Sequence, residues 1–253
     1  MSDTAGRKAG LIGDILALHR RAELGLKRLR MERWSREYEE VLSEPDHRKR
    51  FDRLYTQRMW SPIAKSHETG CGSGSTLAST AVFREELVER FLSRQTPGVF
   101  FDAPCGDFHF MSTVCFPAGW HYIGGDLSPS AIRDARRKAP AIEFREFDLT
   151  QDEFPANNVW LCRACLFHLS FSDIRKVLEN FARSDGKIAI ITSHPDVREN
   201  VDIATGRYRS LDLTKPPIGL PKPHEFLNDV SDDPTPWIAG IWSREEVASA
   251  LQM

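Results

Sequence analysis

The sequence predicts an α/β fold, a mostly parallel sheet with helices on both faces, preceded by a helical N-terminal extension. Apolar, β-rich runs begin at five places after residue 97: 98–103, 121–126, 143–148, 158–163 and 187–192. Helical stretches lie between these runs, and strands that alternate with helices are typical of a parallel sheet covered on both faces. Residues 10–40 instead carry apolar side chains near helical spacing, which predicts one or two amphipathic helices.

Capping residues locate the helices between the strands. Ser128 and Pro129 supply an N-cap and a first-turn proline for a helix that runs through Ala139. Ser170 with Asp173 fits a capping box and opens a helix that ends near Arg183. Two further predictions are a helix from Thr76 to Ser93, after a loop at 66–76, and short strands near 225–230 and 237–242 within the irregular segment 194–241.

Composition excludes several classes of protein. The 253 residues carry a formal net charge of −2, which argues against a dedicated nucleic-acid binder. No segment approaches the roughly 18 consecutive apolar residues that span a bilayer, and the apolar stretch near the N-terminus is a poor signal peptide. Five cysteines in a chain of this length indicate reduced thiols, and therefore the cytoplasm.

Residues 1–60 differ in charge from the remainder. They hold 14 Lys and Arg against 10 Asp and Glu, so they carry +4 and the rest of the chain −6. The amphipathic helices predicted in this part could pack on their own domain or on a partner subunit, as in a homodimer. Alternatively, they could lie as basic helices on an anionic membrane surface. We treat 1–60 as the helical N-terminal extension and 61–253 as the main domain.

Three successive apolar runs end in aspartate, at Asp102, Asp126 and Asp148. Ligands of open α/β sheets bind at the carboxyl edge of the strands, where an acidic residue of the second strand can accept hydrogen bonds from ribose hydroxyls. Asp126 follows Asp102 by 24 positions, so an adenosine-containing ligand is the leading hypothesis.

The loop after the first strand narrows the choice of ligand. A diphosphate needs a run of glycines with free N–H groups, whereas residues 104–107 read Pro-Cys-Gly-Asp. Proline removes a donor and Asp107 adds negative charge, which suits a ligand with an ammonium and a sulfonium, such as S-adenosylmethionine (SAM), better than NAD. The other glycine-rich segment, 70–76, lacks the lysine of a P-loop, so we interpret it as a gate over the pocket or a plain linker.

With these residues in hand, the chain resembles the class I SAM-dependent methyltransferases over about residues 54–253, with a Rossmann-like fold. The resemblance rests on four segments: DAPCGD at 102–107, YIGGDLS at 122–128, EFDLT at 146–150 and CRACLFHLSF at 162–171. Pro104 and Phe108 stand where the family usually has glycines. Together with YTQRMW at 55–60 and GSGSTL at 72–77, the segments DAPCGD and CRACLFHLSF are similar to a bacterial branch of the family whose members often accompany glycan or natural-product genes.

The resemblance implies a set of cofactor-binding residues. Asp126 would hold the ribose, Asp148 would accept from the adenine amino group, and Leu149 would flank the ring. The full set is Asp102, Ala103, Pro104, Gly106, Asp107, Asp126, Leu127, Asp148, Leu149 and Arg163.

One cysteine pair raises the question of a metal. Cys162-x-x-Cys165 could bind zinc with His168 and Cys71, but structural zinc normally uses paired knuckles and only one such motif occurs. We therefore predict small buried thiols and no metal.

The predicted reaction is transfer of a methyl group from SAM to a hydroxyl of a small molecule, sugar or glycan. His168, which follows the fourth strand, is either a general base or a wall of the pocket. Asp202 and His194 are the other candidate bases, and His67, Asn200 and Arg209 are candidate acceptor-binding residues. The alternatives are N-methylation of a small amine, a nucleotide-dependent oxidoreductase or epimerase, and a non-catalytic cofactor-binding scaffold.

Overall fold

The computed structural model describes residues 3–60, 68–229 and 235–251, with side chains described from residue 23 onward. The chain forms two compact units, residues 1–43 and 44–253. The first unit is the helix α1 (Asp3–Leu42). On α1, the rings of Trp34 and Tyr38 stack with centroids 4.9 Å apart, and Arg28 pairs with Glu32 at 2.9 Å.

The second unit contains a seven-stranded sheet. Its strands are β1 (Val99–Asp102), β2 (His121–Asp126), β3 (Glu143–Glu146), β4 (Val159–Cys162), β5 (Ile188–Ser193), β6 (Glu225–Asp229) and β7 (Trp237–Ser243). The strand order is β3-β2-β1-β4-β5-β7-β6, in which β1 to β5 pair in parallel and β7 runs antiparallel to both neighbours. The predicted fold class and all seven predicted strands are confirmed.

Five helices accompany the sheet within the described part of this unit. They are α2 (His47–Thr56), α3 (Ala81–Glu86), α4 (Pro129–Lys138), α5 (Phe171–Ala182) and α6 (Arg244–Leu251). The predicted caps are confirmed, since the hydroxyl of Ser128 accepts from the N–H of Ala131 and that of Ser170 from the N–H of Asp173. No helix within the described residues is long and apolar enough to cross a membrane.

The helix predicted from Thr76 to Ser93 is wrong in its first turn. The α-helix begins only at Ala81, continues as a π-helical turn over Leu87–Phe91 and ends in a 3-10 turn at Leu92–Arg94. Hydroxyl groups before Ala81 bond to main-chain carbonyls, with Ser79 Oγ donating to Ser73 O and Thr80 Oγ1 to Thr76 O, both at 2.8 Å. Such side-chain bonds compete with helix formation.

The strands are buried on both faces, because successive side chains point to opposite sides of the sheet. One core contains Phe101, Trp160 and Ile191, and the other contains their neighbours Phe100, Leu161 and Ile190. The buried sheet is therefore a rigid support for the loops at its carboxyl edge.

The predicted division of the chain at residue 60 remains a prediction. Helix α2 lies on the N-terminal side of that division, yet Tyr55 on α2 bonds to Asp134 on α4 within the second unit, at 2.7 Å.

Candidate active site

A cleft lies at the carboxyl edge of β1 to β4, where an open α/β sheet binds its ligands. It is an open cleft with walls that are mostly apolar, as small-molecule sites usually are. Nine of the ten predicted cofactor residues line it: Ala103, Pro104, Gly106, Asp107, Asp126, Leu127, Asp148, Leu149 and Arg163. The candidate base His168 lines it as well.

The loop after β1 is built around Gly106. Its φ of +55° is a conformation that side chains disfavour, and a Cβ there would collide with Sγ of Cys71. The Gly106 N–H donates to Oδ2 of Asp126 at 2.9 Å. This bond ties the loop to the end of β2 and occupies a donor that a phosphate would otherwise use.

Asp126 is held from two sides. Its Oδ1 accepts from the N–H of Ser128 at 2.8 Å, and burial raises the pKa of its carboxyl to about 6. The carboxylate is therefore ionised at neutral pH, and each oxygen keeps lone pairs that can accept from a ligand in the cleft.

Asp107 has a different environment from the one predicted. Its carboxylate pairs with Lys138 at 3.0 Å and accepts from the hydroxyl of Thr69 at 2.9 Å. Its charge is largely compensated, so Asp107 repels a diphosphate less than the sequence suggests. The structural feature that disfavours a diphosphate is the Gly106 N–H, which already donates to Asp126.

The other two strand-end aspartates, Asp102 and Asp148, accept hydrogen bonds from nearby side chains of the protein. Asp102 does not line the cleft; it accepts from the hydroxyl of Tyr122 at 2.6 Å, and burial raises its pKa to about 7. Asp148 lines the cleft, and its carboxylate accepts from Thr150 and Gln151 in the following turn.

Helix α2 and the residues after it form a wall of the cleft that the sequence analysis missed. This wall consists of His47, Phe51, Tyr55 and Trp60. Oδ1 of Asp52 accepts from the hydroxyl of Ser128 at 2.7 Å and from the N–H of Ser130 at 2.8 Å. These bonds fix α2 over the start of α4, beside Asp126. The aromatic residues at 51, 55 and 60 are the feature of the sequence that could have indicated this wall.

One hydrogen bond fixes the ring of His168. Its Nδ1 lies 2.9 Å from the carbonyl oxygen of Arg207, which can only accept, so Nδ1 carries the proton and Nε2 the lone pair. Burial lowers the pKa of the imidazole to about 4. The Trp60 ring lies 4.1 Å from the imidazole, centroid to centroid. A neutral, fixed imidazole on the cleft wall fits either predicted role.

Four other predicted site residues lie outside the residues that line the cleft. His194 is buried, and its Nδ1 accepts from the N–H of Leu211 at 3.1 Å. Asn200 bonds both ways with the main chain of Asp212, at 2.8 and 3.0 Å. Asp202 caps α5 by accepting from the N–H of Phe171 at 2.8 Å.

Arg209 is the fourth of these residues. Its Nη1 donates to the carbonyl of Phe167 at 3.1 Å, and burial lowers the pKa of its guanidinium to about 10. Two of these side chains, His194 and Asn200, hold the main chain of the segment 193–213 itself, and Asp202 and Arg209 tie that segment to the main chain at Phe171 and Phe167. His67, the remaining predicted acceptor residue, lies outside the described residues.

All five cysteines are free thiols. Among the residues that the structure describes, no group of three or more His, Cys, Asp or Glu side chains is placed to hold a metal ion. Cys162 is fully buried, and burial raises the pKa of its thiol well above the ordinary value.

The strand order, the antiparallel β7 and the cleft define the fold of the class I SAM-dependent methyltransferases. The chain is similar to the magnesium protoporphyrin IX methyltransferase of Synechocystis PCC 6803 with bound SAM, with a TM-score of 0.53 and 16% identity over 78% of this chain and 94% of that one. The SAH-bound structure of the same enzyme aligns over 48% of this chain and 57% of that one, with 19% identity and a TM-score of 0.40.

A methyltransferase in calicheamicin biosynthesis, CalO1, aligns over 65% of this chain and 53% of that chain, with 17% identity and a TM-score of 0.46. No protein-family model and no curated protein sequence matches the chain.

Proposed function

We propose that this protein is a SAM-dependent methyltransferase that methylates a hydroxyl group of a small molecule, with His168 as the general base. The observation that carries the proposal is the joint placement of Gly106, Asp126 and His168 along one cleft at the carboxyl edge of the sheet. The likeness to a SAM-bound methyltransferase supports the fold on which it depends.

The residues present fit SAM as the cofactor. Asp126 offers a half-buried carboxylate for ribose hydroxyls, and the N–H of Gly106 fixes one of its oxygens. Asp148 and Leu149 line the same cleft, where we assign them to the adenine. The bond from the Gly106 N–H to Asp126 favours a cofactor without phosphates.

When bound, SAM supplies an electrophilic methyl group on a positively charged sulfur. The chain must align the acceptor oxygen behind that methyl carbon and exclude water, which accounts for most of the expected rate gain. Nε2 of His168 takes the hydroxyl proton, and the bond from Nδ1 to Arg207 O keeps that lone pair directed while the imidazole becomes charged. The α2 wall closes the cleft against water.

Calorimetry with SAM, S-adenosylhomocysteine (SAH) and NAD tests the cofactor. We expect SAM and SAH to bind at micromolar concentrations and NAD not to bind. Asp126→Asn should weaken SAH binding about tenfold or more, because hydrogen bonds to a charged group are lost. Asp185→Asn, at an exposed carboxylate, is the matched control. If neither SAM nor SAH binds below about millimolar concentration, the assignment of SAM as the cofactor is wrong and the proposal fails.

Mass spectrometry of candidate acceptors tests the reaction. Hydroxylated small molecules and sugars should gain one methyl group in the presence of SAM. A gain confined to amines would assign N-methylation instead. Tight SAH binding with no methylation of any acceptor would favour a cofactor-binding scaffold.

We also propose a cytoplasmic location, supported by five free thiols. We assign α1 to docking, either in a homodimer or at an anionic membrane surface. Its exposed leucines Leu24, Leu26 and Leu29 support this assignment.

A further inference from the structure

The cleft has an aromatic wall beside His168. The Trp60 ring lies 4.1 Å from the imidazole and 6.3 Å from the Phe51 ring, between centroids. Phe51, Trp60 and Leu169 all line the cleft. Aromatic rings interact favourably with other rings, beyond the apolar area that they bury. The wall therefore suits an acceptor that carries an aromatic ring.

The polar segment after β5 offers few groups to an acceptor rich in hydroxyls. Asn200 and Asp202 bond to main-chain groups of the protein. Of the described residues in this segment, Thr205 alone lines the cleft, and its hydroxyl donates to Asp173, which also accepts from Lys176. A sugar brings several hydroxyls that need partners when they leave water. The cleft beside His168 is thus a poor sugar site.

His168 is accessible to an acceptor but is a weak base. The residue is half-buried in the cleft lining, and none of the described residues bonds to its Nε2. Burial lowers the pKa of its imidazole to about 4. A phenolic hydroxyl has a pKa of about 10, whereas an aliphatic hydroxyl is about as weak an acid as water, with a pKa of about 15.7. Proton transfer to His168 is therefore on the order of 10⁵- to 10⁶-fold more favourable from a phenol.

We propose that the acceptor is a phenol, whose ring packs against Trp60 and Phe51 and whose hydroxyl faces His168. The inference rests on the proposed function, because it names the acceptor class of that methyltransferase. The phenol oxygen forms a bond to the methyl carbon of SAM while the bond from that carbon to sulfur breaks, and the sulfur keeps the electron pair. The hydroxyl proton moves to Nε2 of His168 and from there to solvent. The products are an aryl methyl ether and SAH.

Binding of 2-naphthol and of decahydro-2-naphthol tests the aromatic wall. The two alcohols have the same carbon skeleton, and only 2-naphthol is aromatic. Calorimetry on SAH-saturated protein gives the ratio of their affinities. In Trp60→Leu this ratio should shift about threefold to tenfold against 2-naphthol, with SAH affinity within about threefold of wild type.

Phe226→Leu, which removes a ring that is 45% exposed and lies outside the cleft lining, is the matched control. Phe51→Leu provides the same comparison if Trp60→Leu does not fold. A ratio of affinities that stays the same in wild type and in the folded wall variant overturns the inference.

Turnover of 2-naphthol and of 2-naphthalenemethanol tests the acidity of the hydroxyl and needs no variant. Both compounds carry the same ring system, but the hydroxyl of 2-naphthalenemethanol is aliphatic. With SAM, mass spectrometry should show 2-naphthol gaining a methyl group about 10²-fold faster or more, because its proton is much more easily removed. Glucose should gain none above the background without protein.

The outcomes separate this inference from the proposed function. If the protein binds SAH but methylates 2-naphthalenemethanol or glucose as fast as 2-naphthol, only the phenol assignment is overturned. Protein that binds SAH and leaves 2-naphthol unmethylated also overturns that assignment. Protein that binds neither SAM nor SAH overturns the proposed function as well.

Discussion

At the scale of the residue, His168 shows how burial prepares a side chain for chemistry. Its pKa is lowered to about 4 by burial, so the imidazole is neutral across the physiological range and its Nε2 lone pair is available. The hydrogen bond from Nδ1 to Arg207 O makes this lone pair directional. An ordinary surface histidine would be partly protonated below pH 7, whereas the lowered pKa keeps His168 neutral but also makes it a weaker base.

Replacing His168 with Asn tests this assignment. We expect kcat to fall about 10²- to 10⁴-fold, the usual contribution of a positioned base, with SAH affinity within about threefold of wild type. His121→Asn, at an exposed site at the start of β2, is the matched control. Full activity in His168→Asn would make His168 a wall residue.

The pH profile adds a second test. A base must be deprotonated, so the wild-type kcat/KM for the acceptor, at saturating SAM, should be level above about pH 5 and fall only as pH approaches 4. A decline that begins near pH 7 and disappears in His168→Asn would contradict the lowered pKa.

The raised pKa of Asp102 predicts that the stability of the folded protein depends on pH. Burial raises its folded-state pKa to about 7, above an unfolded value near 3.8, so the folded state binds more protons between these values. The contribution of Asp102 to stability is therefore fully present below pH 4 and is lost as pH rises through 7.

Asp102→Asn should remove this loss, because an amide does not ionise and its oxygen can still accept from the Tyr122 hydroxyl. Relative to wild type, the variant should gain on the order of 1–3 kcal/mol in unfolding free energy on going from pH 5 to pH 8. Urea unfolding at the two pH values measures the difference. The same difference at both pH values would show that Asp102 is not the titrating group.

At the scale of the element, α2 forms a wall of the cleft beside Asp126. Asp52 bonds to Ser128 and Ser130, and Tyr55 bonds to Asp134, so the helix is fastened to α4 beside Asp126. If these bonds hold the wall closed, removing them should speed ligand escape more than it slows entry.

We therefore expect Asp52→Ala to raise the dissociation constant of SAH about threefold to tenfold, mainly through faster dissociation in stopped-flow measurements. Ser128 still caps α4, so the variant should fold. Lys49→Ala, at an exposed position on the same helix, serves as the control. An unchanged dissociation rate would mean that α2 does not gate the cofactor.

Sequence patterns predicted the elements whose signals are local. The β-rich runs, the caps at Ser128 and Ser170, and the strand-end position of Asp126 depend on neighbours a few residues away. The α2 wall could not be predicted, because its contact with α4 joins residues that are 76 positions apart. Likewise, nothing local distinguishes a polar side chain that faces a ligand from one that holds its own loop, as Asn200 does.

At the scale of the whole molecule, the chain divides into compact units at residues 1–43 and 44–253. The described residues that line the cleft all belong to the second unit, beginning with His47. Compact units with their own core can fold alone. The second unit has two buried cores, one on each face of its sheet.

We therefore expect the fragment 44–253 to fold and to bind SAH within about twofold of the full chain, because no group in the cleft is lost. Circular dichroism and calorimetry on the fragment and the full chain make the comparison. A second fragment that begins at residue 61 removes the α2 wall with α1 and should bind SAH much more weakly. A folded 44–253 fragment with SAH affinity reduced tenfold or more would place part of the cofactor site on α1, contrary to the division at residue 43.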